Sequence, residues 1–321
     1  VKISILVRKK DQDQIWCYGN TNNILLENQL IPEEQIKSLT ELGNVTIKWY
    51  KIEEANGNYY SNTYPSWHWH EIPYKETEVV EWRNKFIVTA NVTPTVFDPV
   101  YCDDKVVGTM RYKAVLTIDG ETYSTPGKDS KYKGSISNKV HRISLKGNTD
   151  NEVINYAFAM CNLPYIWGSA SFTGDKYDNH QAELFIGADC ADFCVAAHQM
   201  SGNQIPYDQV KNNQYTKVIT TIRSKIGEVY LNSNRKSIKV GENGVKTGDF
   251  IYWNFDISGS GHVGLFYRDK SDPNGKNEGN ADGIFNTWDL VIHTLFHEPG
   301  VKTIGDAYQG KIRIYRYKDK N

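Results

Sequence analysis

Asp189-Cys-Ala-Asp-Phe-Cys-Val-Ala-Ala-His-Gln-Met200, followed by Gly202, reads as a helix that starts near Cys190 and stops at the glycine. A thiol attacks as the thiolate, and a free cysteine titrates near about 8.5, so a nucleophilic cysteine needs a device that lowers this value. The first turn of a helix is such a device, because its unpaired N–H groups and its dipole favour negative charge. The same N–H groups suit the oxyanion of a tetrahedral intermediate. Cys190 is therefore expected to titrate low. Cys194, inside the apolar helix, and Cys161, beside Met160, read as small core hydrophobes. Cys190 and Cys194 share a helical face, but no second Cys/His pair lies at ligand spacing, so no metal is expected.

Upstream, Thr149 or Asp150 is placed to cap a helix over Glu152–Cys161, ending before Pro164. Downstream, strands dominate: Asp249–Asn254, His262–Tyr267, Leu290–Thr294 and Lys311–Tyr317. Helices first and antiparallel-looking strands afterwards is an α+β order.

The first 125 residues read as an all-β accessory domain. Val45–Ile52 and Lys85–Val92 alternate, and Asp119-Gly120 between two alternating runs signals a hairpin. Trp49 and Tyr112 resemble the core aromatics of an Ig-like sandwich, without its Cys…Trp…Cys spacing. Only Pro32–Leu42 invites a short helix there. Residues 126–146, rich in Gly, Ser and Lys, read as a linker, and 147–321 as the second domain.

The 321-residue chain carries 37 basic and 38 acidic side chains, divided evenly between its halves, so bulk charge does not point to nucleic acid. No apolar run is long enough to cross a bilayer. Five cysteines are too few for a disulfide scaffold, and the odd count leaves one unpaired; Cys17–Cys102 pairing stays open. A start at Val1 suggests a processed or trimmed chain with any export signal already removed, and an exported protein is expected.

A nucleophilic cysteine needs a base, and the base an orienting acceptor. His262, in Gly261-His-Val-Gly264, sits beside a glycine-lined gap with Gly264 and Phe266 on its face. His293, in Leu290-Val-Ile-His293, lies on the next predicted strand, with His297 and Asp289 as substitutes.

These landmarks occur in order: Tyr165-Ile-Trp-Gly168, Asp189-Cys190, Gly202 with Ile205-Pro206, Gly248–Tyr252, His262-Val-Gly264 and Val291-Ile-His293. Together they resemble the NlpC family of cell-wall cysteine peptidases across roughly 147–321. The resemblance implies a papain-like α+β catalytic domain with Cys190 as nucleophile, His262 as base and His293 as polar third member. It implies no cofactor, and peptidoglycan stem peptides as partners, cut at the γ-D-glutamyl to diamino-acid bond. An N-acetylmuramoyl-L-alanine amidase on the same triad and a non-hydrolytic wall-binding protein are the alternatives. Tyr165, Trp167, Asp189, Ala191 and Asp192 fall at substrate-binding positions. Ala191-Asp192 replaces the family's usual Ser-Gly, which removes a hydroxyl from the implied amine pocket and adds a carboxylate. Trp167 and Cys190 stand 23 positions apart and His262 and His293 31 apart. The long loops within both intervals are expected to wall or cover the site. In the first half, Trp67-His-Trp-His-Glu71 is an aromatic stretch suited to a glycan or partner protein, or to packing on the catalytic domain.

Overall fold

The computed structural model describes residues 1–11, 14–19, 25–26, 29–57, 59–62, 69–132, 134–169, 172–173, 176–177, 181–203, 205, 223–231, 237–253 and 261–317. Among the described residues strand accounts for 40% and helix for 13%, with three helices. This corrects the expected α+β papain-like class: the described residues are mostly β, built from multiple sheets, and no papain-like core is evident among them. The reason lies in segments without a clear apolar alternation that nevertheless pair. Arg223–Tyr230 and Gly300–Thr303, neither legible as strands, form the two edges of a six-stranded sheet.

The first half contains a five-stranded sheet of Val45–Glu54 (β1), Tyr74–Glu78 (β2), Gly108–Ile118 (β3), Glu121–Ser124 (β4) and His141–Leu145 (β5). β1 pairs with β2 and β3, and β3 also pairs with β4 and β5. Small two- and three-stranded sheets surround it, in place of the expected two-sheet Ig-like sandwich. Trp49, Trp82 and Tyr112 are buried in one apolar cluster with Ile47, Val88 and Met110. The hairpin at Asp119-Gly120 forms as expected, both residues taking positive φ (49° and 91°) between Ile118 and its partner Glu121. Pro32–Leu42 is two short 3-10 turns, Glu33–Gln35 and Leu39–Leu42, the second closed by a capping box between Ser38 and Glu41. Residues 126–146 are not a free connection. Lys131–Tyr132 pairs with Ser135–Ile136, and β5 pairs with β3 from Gly108↔Leu145 to Tyr112↔His141.

The second sheet comprises Arg223–Tyr230 (β6), Phe250–Trp253 (β7), His262–Arg268 (β8), Leu290–His293 (β9), Gly300–Thr303 (β10) and Lys311–Tyr317 (β11). Its order is β6-β11-β7-β8-β9-β10, antiparallel throughout. Helices Glu152–Ala159 (α1) and Cys190–Met200 (α2) pack with Phe250, Val263, Leu265 and Ile292, while Ile251, Phe266 and Val291 pack with Ile304 of Ile304–Ala307 (α3) and with Ile312. Apolar residues on both faces of the sheet follow from the two-residue period of a strand covered on both sides. The α1 cap is Asn151, whose side chain accepts from the Ile154 N–H at 3.1 Å, rather than Thr149 or Asp150. Thr149 is engaged instead with Asn151 and Asn155. No helix among the described residues is long and apolar enough to cross a membrane.

The halves interlock. Tyr60–Ser61 pairs in parallel with Ile166–Trp167, and Tyr60, Ile72, Ile166 and Ile186 share one buried cluster.

Candidate active site

Register assembles the site. Leu265 pairs with Ile292 and His293 with Gly300 across antiparallel strands, which sets Gly264 opposite His293 and His262 one diagonal away. Gly264 supplies the gap: a Cβ there would stand 2.8 Å from His293 Cβ and 2.6 Å from Tyr308 Oη. The Nε2 of His262 and the Nδ1 of His293 are 2.8 Å apart. Tyr308 stacks on the His262 ring with centroids 5.3 Å apart, and its hydroxyl donates to the Ile251 carbonyl. His262 and His293 are both buried, and neither His262 Nδ1 nor His293 Nε2 has a hydrogen-bond partner among the described residues. The His297 ring stands perpendicular to His293 at 5.0 Å, and its Nδ1 contacts the Glu298 carbonyl at 2.5 Å. Asp289 is held elsewhere, accepting from Lys270 and Asn286 N–H groups.

Cys190 opens α2 and is half-buried. The backbone N–H groups of Val263, Ala191 and Cys190 itself act on its sulfur, which places the thiol beside the residue that follows His262. Tyr165 and Tyr308 also lie within electrostatic reach of Cys190.

Asp189 is the helix cap. Its Oδ1 accepts from the N–H groups of Ala191 (3.0 Å) and Asp192 (2.8 Å), and its Oδ2 from Gly168 (3.0 Å). Ser169 Oγ accepts from the Asp189 N–H at 3.0 Å and donates to Asp192 Oδ2 at 2.5 Å. Two buried carboxylates are thus tied into the loop that follows Trp167. Ala191 is buried and adds no polar side-chain group, and Trp167 enters through its carbonyl, which accepts from the Asn62 N–H at 3.0 Å.

Burial works against the expected low titration of the thiol. Burial pushes Cys190 up to about 12, and the neighbouring Asp189 carboxylate acts in the same direction. Asp189 accepts from the N–H groups of Ala191 and Asp192, and the Ala191 N–H acts on the Cys190 sulfur as well. Burial lowers His262 to about 3, with His297 adding to the effect, and lowers His293 well below the usual imidazole range. Burial also raises Asp189, against the four backbone N–H groups that hold it down. The resting pair is a neutral thiol and a neutral imidazole. If His262 Nε2–H donates to His293 Nδ1, the bare His262 Nδ1 is the acceptor for a proton.

Around this centre, Tyr59, Tyr165 and Phe296 form an aromatic cluster, with ring centroids 5.1 Å (Tyr59–Phe296), 5.3 Å (Tyr165–Phe296) and 6.4 Å (Tyr59–Tyr165) apart. Tyr59 and Phe296 are exposed, and Phe296 holds a left-handed φ of 57°, rare for a bulky residue. Phe296 was not legible as a site residue, because it lies in an irregular segment with no motif around it, and Tyr59 reads from the sequence only with the aromatic stretch Trp67–Glu71 that it precedes.

The loop over Asp269–Asn286 lies at the opposite end of β8 and β9 from the histidines, since Arg268 pairs with Leu290. It is pinned there by the Asp269 carboxylate, which accepts from Asp282 and Gly283, so it does not wall the site. Of the loop between Trp167 and Cys190, residues 170–171, 174–175 and 178–180 lie outside the described residues, as do Trp67 and His68 of the aromatic stretch. All five cysteines are free thiols, Cys17 and Cys102 included. Comparison with protein-family models, with curated proteins and with solved structures returns no match.

Proposed function

We propose that the chain is a cysteine-dependent amide hydrolase acting on peptidoglycan stem peptides in the cell envelope or outside the cell, with Cys190 as nucleophile, His262 as base and His293 as the residue that orients it. The observation that carries this reading is the 2.8 Å His262 Nε2–His293 Nδ1 contact, which leaves the buried Nδ1 of His262 unpartnered among the described residues beside the strand position facing Cys190. The ordered sequence landmarks shared with the NlpC family supply the substrate class.

In this mechanism the substrate displaces water from the site, and His262 Nδ1 takes the Cys190 proton as sulfur attacks the amide carbonyl. Transfer at the moment of attack suits a pair that rests neutral. The imidazolium then protonates the leaving amine, and water attacks the thioester with His262 again as base, which regenerates the thiol. The N–H of Cys190, at the helix start and directed at the sulfur, is placed to serve the oxyanion, while Asp189 holds those of Ala191 and Asp192.

Digestion of purified muropeptides, with products read by mass spectrometry, tests the reading. Wild type releases fragments cut within the stem peptide, and Cys190→Ala releases none. Equal cleavage by both proteins removes Cys190 from the chemistry, while release of intact stem peptides identifies an amidase.

A further inference from the structure

We infer that Asn62, in the N-terminal half, is a positioning residue of the active site: its side chain holds the carbonyl of the Gly168–Ser169 peptide, whose Ser169 N–H acts together with the Gly168 N–H on the Asp189 cap next to Cys190. The inference rests on the reading of Cys190 as nucleophile.

Asn62 is 1% exposed. Its Nδ2 donates to the Gly168 carbonyl at 2.7 Å and to Gln181 Oε1 at 3.0 Å, and its Oδ1 receives the His70 N–H at 3.4 Å. Backbone bonds from Tyr60 N–H to the Tyr165 carbonyl (2.9 Å) and from Asn62 N–H to the Trp167 carbonyl (3.0 Å) align the two segments. Gly168 sits at φ 72°, a left-handed conformation that glycine adopts without strain, so its peptide planes are free to turn unless held. Asn62 holds one face of that turn through the carbonyl, and the Gly168 N–H binds Asp189 Oδ2. Gln181, the second partner of Asn62, donates its backbone N–H to the Ser169 carbonyl, and Ser169 ties Asp189 to Asp192. A side chain 127 positions upstream of Asp189 therefore sets the donor geometry around the residue preceding the nucleophile.

The consequence is electrostatic. Groups within electrostatic reach of the Cys190 sulfur are Asp189 at the α2 cap, Cys194 within α2, Tyr165 from the preceding loop, the Val263 N–H from β8, and Tyr308 beyond α3; His262, His293 and His297 contact one another around β8 and β9. Among these, Asp189 opposes formation of the thiolate, and each N–H bound to it offsets part of its charge. Freeing the Gly168–Ser169 peptide loosens the Ser169 N–H, and through the turn the Gly168 N–H, and leaves more of that charge acting on the sulfur.

The test uses the full chain with Asn62→Ala, and Asn62→Ser as a smaller perturbation should the alanine variant fail to fold. Iodoacetamide labelling of Cys190 at pH 9, corrected with a Cys190→Ala background, needs no substrate. Labelling is expected to slow about threefold or more, because its rate follows the thiolate fraction. Turnover of muropeptides is expected to lose about tenfold to a hundredfold in kcat, with KM changed less than about twofold. Simple loosening of the loop would instead open the site and speed labelling. Unchanged or faster labelling in a folded variant overturns the inference. A wild-type chain that labels as expected but cleaves no muropeptide speaks against the hydrolase reading alone.

Discussion

His262 and His293 meet ring nitrogen to ring nitrogen at 2.8 Å, across the pairing of β8 with β9, with Gly264 leaving the space between them. When His262 Nε2–H is the donor in this contact, His262 Nδ1 is the ring nitrogen free to accept a proton. Replacing His293 by alanine leaves His262 Nε2 without a partner and its ring without an orientation. Cleavage by His293→Ala is expected to fall roughly a hundredfold to ten-thousandfold in kcat with little change in KM. Steady-state kinetics on a muropeptide checks this, and near-wild-type turnover would remove His293 from the site.

Substitution of Gly264 tests the same geometry from its other side. A Cβ at 2.8 Å from His293 Cβ and 2.6 Å from Tyr308 Oη forces both side chains to shift. Gly264→Ala is expected to lose about 1–3 kcal/mol of stability from overpacking. Its kcat is expected to fall by on the order of a hundredfold through displacement of His293. Urea unfolding beside kinetics separates the two effects, and full activity with unchanged stability would show that the gap is not used.

The Cys190 thiol is expected to label slowly below pH 8 in the unliganded chain. Burial and Asp189 both raise its titration, so the thiolate fraction is small at neutral pH and grows only on the alkaline side. Iodoacetamide rates from pH 6 to 10 measure this directly. Fast, pH-independent labelling at pH 6 would require a preformed thiolate–imidazolium pair.

Tyr59 and Phe296 present exposed rings beside Tyr165. Tyr59→Ala or Phe296→Ala is expected to raise KM about fivefold, the scale of one aromatic contact, with kcat nearly unchanged. A pure kcat effect would place the rings in the positioning of Tyr165 rather than in contact with substrate.

His198 is buried, stacks on Phe250 with centroids 4.7 Å apart, and is lowered by burial to about 3. Between that value and the unfolded value near 6.5, the unfolded chain binds a proton that the folded chain does not. Its contribution to stability is therefore lost as pH falls through this window. His198→Phe removes that loss, so relative to its difference from wild type at pH 7.5 it is expected to gain about 2 kcal/mol at pH 5. Chemical denaturation at the two pH values reads the change, and parallel behaviour of both proteins would contradict it.

Several elements of the site were legible because their signals are local. The α2 start follows from a few adjacent residues, the hairpin from Asp119-Gly120, and the placement of His262 and His293 from two apolar runs of a single period. The overall class was not legible. β6 and β10 are edge strands with weak alternation, and β5 falls in a segment whose Gly, Ser and Lys resemble a linker. Edge pairing depends on a neighbouring strand far along the chain, and nothing near these residues records that neighbour.

Residue order alone determined that a cysteine opens a helix, that two histidines occupy successive strands and that an aspartate precedes the cysteine. Tertiary structure decided what those residues do to one another. It joined His262 to His293 through strand register, tied the Asp189 cap to the Gly168 N–H, and brought the Asn62 side chain to the Gly168 carbonyl. Helix caps and tight turns are set by interactions within a few residues, whereas register and burial depend on partners about 30 to 130 positions away, whose contacts exist only once the chain has folded.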